Sequence, residues 1–218
     1  MDDERTHVAA TCRRLAADGL VIGTAGNVSV RVGDRVVVTA TGARFETITP
    51  EHVTVVDLDG RVTDGGPAPT SEIGLHLGVL RRFGSSAVVH THAPVATAVG
   101  LVVDELPCVH YQMLALGGPV RVAPYRLFGT PELADAVLTA LEGRAAALMA
   151  NHGAVTHAGD LDTAVENALL LEWACELYRL AASMGTPRTL DAAAQQEFVA
   201  AVAARGYGRM RPADEEGR

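Results

Sequence analysis

Apolar positions along this chain switch between two rhythms. Val8, Ala9, Cys12, Leu15 and Ala16 recur at helical spacing between Asp3 and Asp18, and Gly19 suits the left-handed residue that follows a helix. Alternation by two then predicts strands over 28–32 and 35–40, joined by a turn at Gly33-Asp34. Thr49-Pro50-Glu51 reads as a short helix start, with a strand over 53–57 behind it. Thr70-Ser71-Glu72 opens a helix carrying Ile73, Leu75, Leu77, Val79 and Leu80. A β-branched run, Ala87-Val88-Val89, leads into His90-Thr91-His92, and Pro94 suits the first turn of a helix over 95–103.

Further on, the pattern predicts a strand over 120–122 and a helix from Thr130-Pro131-Glu132 to Glu142. An apolar strand over 145–150 ends at Asn151-His152-Gly153, and residues 154–157 resume it. Asp160 starts a long helix reaching Met184, on which Trp173, Leu177 and Leu180 read as core, and a last helix covers 191–204. The acidic tail, 211–218, is expected to be disordered. With neither repeat nor linker, residues 1–210 read as a single α/β domain, a mixed central β-sheet with helices on both faces.

Composition narrows the chemistry. Hydrophobic residues make up 48% of the 218, enough for a core, and the net charge of −8 disfavours a general nucleic-acid binder, which needs a basic face. No apolar run approaches the ~20 residues of a membrane span. The acidic start, Met1-Asp2-Asp3-Glu4, lacks the shape of a signal peptide, so a cytoplasmic protein is expected. Cys12, Cys108 and Cys175 are scattered and read as buried, inert thiols. All 18 basic residues are arginine. Without lysine there is no Schiff base, no lysine-tethered pyridoxal and no P-loop, so carbanion chemistry would need a metal ion as its electron sink.

The histidines supply one. Side chains two apart in a strand share a face and lie about 6.6 Å apart along it, so His90 and His92 can converge on one ion. His152, at another strand end, makes three neutral nitrogen ligands, the pattern of a catalytic zinc with an open position. Glu72 is the best candidate to stand near that position, as a ligand to the resting metal and as a base. Glycine-rich turns at 23–26 and 41–42, with the hydroxyl-capped helix start at Glu72, could hold a phosphate beside it. His7, His52 and His157 read as solvent-facing; His76 follows Glu72 by one turn and could share its face, but is left out of the ligand set.

Together, Thr24-Ala25-Gly26-Asn27-Val28-Ser29, Thr41-Gly42, Ser71-Glu72, His90-Thr91-His92, His110-Tyr111 and Asn151-His152-Gly153 resemble the class II aldolase/adducin family over nearly the whole chain. Within it the chain looks most like the aldolases of ketose 1-phosphates, L-fuculose 1-phosphate among them; Ala123-Pro124-Tyr125 and Phe128-Gly129-Thr130 add to that likeness. The resemblance implies that His90, His92 and His152 bind Zn²⁺, one per subunit, with Glu72 as fourth ligand and acid/base. It implies that Gly26, Asn27, Thr41, Gly42, Thr70 and Ser71 hold the substrate phosphate, Thr70 standing where the family often has a second serine. Tyr111 would donate a proton in a neighbouring subunit's site, Tyr207 would close over substrate, and the assembly would be a C4 homotetramer with sites at subunit contacts.

The implied reaction cleaves C3–C4 of a ketose 1-phosphate to dihydroxyacetone phosphate and a short aldehyde. A sugar-phosphate 4-epimerase, a dehydratase or a decarboxylase of the same family would use the same zinc and phosphate sites. Glu72, where epimerase-like members tend to carry aspartate, and the His110-Tyr111 pair favour the aldolase. A non-catalytic, adducin-like interaction module would lack the three histidines that this chain has.

Overall fold

The computed structural model describes residues 1–205. Helix α1 (Asp2–Ala17) precedes a hairpin of β1 (Asn27–Val32) and β2 (Arg35–Thr39), then β3 (Val53–Asp57) and α2 (Ile73–Phe83). Strand β4 (Ala87–Thr91), helix α3 (Pro94–Val99), the short β5 (Glu105–Leu106) and β6 (Val120–Ala123) follow, then α4 (Pro131–Ala140). The chain continues through β7 (Ala146–Met149), β8 (Gly153–Ala158), the long α5 (Leu161–Met184) and α6 (Ala192–Arg205). The strands form one sheet in the order β3-β2-β1-β4-β8-β7-β6-β5, with β6–β7 parallel and the other pairs antiparallel. The sheet is therefore mixed, as the sequence predicts.

Strand alternation divides the core in two. Val37, Val55, Val89, Ala146 and Leu148 face α1, α3 and α5, which supply Val8, Leu15, Ala96, Val99, Val165 and Leu171. Their neighbours Val36, Val38, Val56, Val88, Ala147, Met149 and Val155 face α2 and α4, packing on Leu75, Val79, Leu133 and Val137. Central strands covered on both sides need apolar residues at successive positions, which is why 87–89 and 146–149 read as continuous runs. Each fully buried Leu or Val contributes roughly 1.5–3 kcal/mol by leaving water. Among the described residues, no helix is long and apolar enough to cross a membrane.

Four readings need correction. Residues 154–157 do not resume the preceding strand: β7 and β8 are separate antiparallel strands pairing Met149 with Gly153, and Asn151 turns the hairpin at φ 58°. Helix α3 stops at Val99, short of the predicted 103. On α5 the buried stripe runs through Leu161, Ala164, Val165, Ala168, Leu171, Ala174 and Cys175, while Trp173 and Leu180 are exposed and Leu177 half-buried. The helix carries a second apolar stripe that the sheet does not reach. His157 is half-buried, not solvent-facing: its ring stacks on Phe83, with Ser85 and the Arg144 carbonyl on its two nitrogens. The three cysteines are buried, burial raises the Cys12 and Cys175 thiols out of reach, and they stay inert as expected.

Candidate metal centre and substrate cleft

His90 lies two residues beyond Val88 and so points to the α2 side of the sheet. Its Nδ1–H donates to the Ala154 carbonyl at 2.9 Å, which fixes the tautomer and leaves Nε2 with a free lone pair. His92 follows the end of β4, where its backbone N–H donates to the Leu20 carbonyl, and its Nε2 comes within 3.0 Å of His90 Nε2. His152 arrives from the β7–β8 turn. Its ring centroid is 4.9 Å from each of the other two, and a ligand atom from each of the three lies within 4.8 Å of the others.

Glu72, at the N-cap of α2, stands beside this triad. Oε2 is 3.1 Å from His90 Nε2 and accepts from Asn27 Nδ2 at 3.0 Å; Oε1 is 3.6 Å from His152 Nε2. Oε1 is buried with no hydrogen-bond partner, an uncompensated position for a carboxylate oxygen unless a cation completes it. Three imidazole nitrogens and a carboxylate oxygen are a donor set that suits Zn²⁺.

The electrostatics favour the same reading. Burial, then the facing His90 ring, pushes His92 down to about 3, and the same causes lower His152. Both are neutral at pH 7, as metal ligands must be. Burial works to raise the Glu72 carboxyl, but the adjoining His90 ring, the hydrogen bond from Asn27 and the nearby His152 ring outweigh it and hold Glu72 well below the ordinary carboxylate range.

A cleft of about 340 Å³ opens in front of Glu72, His92 and His152. It is lined by Gly26, Asn27, Thr41, Gly42, Thr70 and Ser71, all six residues expected to hold the phosphate. Backbone pairing gathers them: Thr70 N–H donates to Thr39 O and Thr41 N–H to Ala68 O, setting the Thr41-Gly42 turn beside the start of α2. Gly26 packs so closely that a Cβ would come within 3.0 Å of Val21 and 3.2 Å of the His90 carbonyl. The N-terminus of α2 adds the positive end of its dipole, which favours an anion. Thr70 Oγ1 is also a cap, accepting from Glu72 N–H at 3.2 Å.

Sequence reasoning missed several of the groups placed here. Thr24, Arg126 and Phe128 line the cleft; the loop after β6 reaches over it with Gly129 seated on the Ser71 carbonyl. Asn151 lines it from the β7–β8 turn. His76, left out of the ligand set, stands outside the three-histidine cluster and bonds to Asn27 and Ser29 beneath the site. Thr24, Phe128 and Asn151 stand in the motifs that carry the family resemblance, yet their places in the cleft depend on partners on distant elements, which those motifs do not show.

Tyr111 lies elsewhere in the protomer. It stacks with His110 and Phe198 and lines a separate, mostly apolar cleft with Leu114, Leu170 and Val199, away from Glu72. Tyr207 falls outside the described residues.

The sequence model of the family described as "Class II Aldolase and Adducin N-terminal domain" matches residues 6–179. The chain is 37% identical over 194 residues to 5-deoxy-D-ribulose 1-phosphate aldolase of Bacillus thuringiensis serovar kurstaki, covering 87% of this chain and 91% of that protein. It is 38% identical over 170 residues to L-fuculose phosphate aldolase of Escherichia coli, covering 77% of this chain and 79% of that one. Among solved structures, one titled "L-fuculose 1-phosphate aldolase" superposes with a TM-score of 0.89 at 30% identity, over 93% of this chain and 97% of the other.

Proposed function

This chain belongs to the class II aldolase and adducin family, and we propose that it is a Zn²⁺-dependent aldolase cleaving ketose 1-phosphates between C3 and C4. The observation that carries this reading is the arrangement of His90, His92 and His152 with the unpartnered Oε1 of Glu72 at the edge of a cleft bearing a phosphate cradle. Both sequence relatives described above are named as aldolases of sugar phosphates, which supports the substrate class.

Zn²⁺ held by the three histidines would supply a Lewis acid for the negative charge left on the three-carbon half when the bond breaks. The remaining work falls to the chain. Thr70, Ser71, Gly42 and the α2 N-terminus fix the phosphate, which sets C3 near Glu72. Glu72, kept ionised at rest by its surroundings, takes up a proton from solvent and delivers it to C3, which gains one when the bond to C4 breaks, so that dihydroxyacetone phosphate can leave. The proton of the C4 hydroxyl must go to another group. Tyr111 of an adjacent subunit and Tyr207 are the candidates to pass it to solvent, each accepting at its phenol oxygen as it gives up its own hydrogen, in a cytoplasmic homotetramer with sites at its subunit contacts. The exposed Trp173 ring beside His110 and Tyr111 supports such a contact.

The test is incubation of the purified protein with L-fuculose 1-phosphate and with 5-deoxyribulose 1-phosphate, coupled to detection of dihydroxyacetone phosphate. Metal-dependent release from either is expected. No release from any ketose 1-phosphate would overturn the reading.

A further inference from the structure

We propose that His76 and Ser29 are positioning residues, the source of a one-way hydrogen-bond relay through Asn27 that fixes how Glu72 is held. The proposal rests on the reading of Glu72 as the group that moves the C3 proton.

Two periodicities build the relay. Asn27 and Ser29 are two apart on β1 and face α2 together; Glu72 and His76 are one turn apart at the start of α2 and face β1 together. The four side chains interleave. Ser29 Oγ lies 2.7 Å from His76 Nδ1, His76 Nε2 lies 2.5 Å from Asn27 Oδ1, and Asn27 Nδ2 lies 3.0 Å from Glu72 Oε2. Ser29 and His76 are fully buried, Asn27 and Glu72 nearly so.

Donor and acceptor chemistry sets the direction. An ionised carboxylate only accepts, so the Asn27 amide must turn its NH₂ toward Glu72 and its carbonyl toward His76. The carbonyl in turn requires a hydrogen on His76 Nε2. A neutral imidazole then has a bare Nδ1, which can only accept the Ser29 hydroxyl proton. Every hydrogen along the path points toward Glu72, and each bond polarises the next. Burial keeps the ring neutral, holding His76 down to about 3, which is consistent with this single-proton state.

The consequence concerns the amide. A free Asn side chain flips between two nearly isosteric states, one of which would set a carbonyl oxygen against Glu72. His76 removes that state. Its side chain neither lines the cleft nor belongs to the metal cluster, so the ring reaches the Glu72 carboxylate through Asn27.

The experiment compares wild type with His76→Leu, His76→Gln and Ser29→Ala, measuring kcat and KM per folded site, bound zinc, and the ¹⁵N shifts of His76. Loss of a group that orients an active-site ligand costs about 10–100-fold in activity, and we expect that fall in kcat for His76→Leu, with KM and zinc content nearly unchanged. In His76→Gln, the amide still donates toward Asn27, so most of the loss is recovered; Ser29→Ala falls by severalfold. The ¹⁵N shifts should report hydrogen on Nε2 and none on Nδ1. A His76→Leu kcat per folded site equal to wild type overturns the relay, as does an Nδ1–H tautomer. Should His76→Leu fail to fold, Ser29→Ala and the tautomer decide it, an unchanged Ser29→Ala kcat counting against. Should wild type cleave no ketose 1-phosphate, the functional reading fails, while the tautomer still tests the relay by itself.

Discussion

Gly153 lies against the Thr91 carbonyl with no room for a Cβ between them. The contact joins β8 to β4 at the point where each strand delivers a histidine: His92 follows Thr91, and His152 precedes Gly153. A side chain at 153 would wedge the two strand ends apart, and the triad with them.

Gly153→Ala is therefore expected to lower stability by about 1–3 kcal/mol, the cost of overpacking a tight site, and to weaken metal binding. Gly159→Ala is the control, because a Cβ there meets nothing within 4 Å. Thermal melts and zinc titration of both variants check this. A Gly153→Ala protein that binds zinc like wild type would show that the contact does not set the triad.

Removal of the metal should abolish cleavage and lower the melting temperature, because an ion that binds only the folded chain stabilises it by mass action. Dialysis against a chelator followed by Zn²⁺ readdition tests both effects. His152→Ala should cost at least about tenfold in zinc affinity, since two histidines remain and Glu72 Oε1 loses the imidazole beside it. Full activity in a demonstrably metal-free sample would rule out the proposed role of the ion.

What the sequence could disclose divides along physical lines. Local rules are written in neighbouring residues, so Thr130 before Pro131 and Asp160 before Leu161 were legible as caps, and both accept the expected backbone N–H groups. Strand periodicity put His90 and His92 on one face, although His92 lies just past the end of β4. The α5 face was misread because Trp173, Leu177 and Leu180 form a heavier apolar stripe than the alanine-rich one that the sheet buries. Hydropathy ranks stripes by bulk, whereas a sheet at close range selects small residues. The link between His76 and Ser29 spans 47 positions and depends on two elements docking, which no window along the chain contains.

Glu172 gives a stability test outside the site. From α5 its two carboxylate oxygens accept the Val95 and Ala96 N–H groups, at 3.0 and 2.7 Å, capping the first turn of α3 just after His92. A six-residue helix has little cooperativity of its own and depends on such a cap. Glu172→Ala should cost about 1–2 kcal/mol, and Glu172→Gln less, since its amide oxygen can still accept one bond. Urea unfolding of the two variants decides this; equal midpoints for Glu172→Ala and wild type would mean that α3 stands without the cap.

His157 should make stability fall with acid. Burial lowers its pKa from the ordinary value, although the Arg144 carbonyl, which accepts from Nε2, partly offsets the effect. The folded ring therefore takes a proton less readily than the unfolded chain does. As pH drops below the unfolded value of about 6.5, the unfolded state gains its proton first and ∂ΔG/∂pH becomes positive. The contribution is fully present above pH 6.5, declines below it, and is gone once pH is under the folded pKa. His157→Gln keeps a donor for Arg144 but cannot titrate, so its unfolding free energy should depend less steeply on pH between 7.5 and 5 than that of wild type. The triad histidines add the same slope to both proteins under matched zinc conditions, so the difference between the two curves isolates His157. Parallel curves for the two proteins would place the pH sensitivity on other groups.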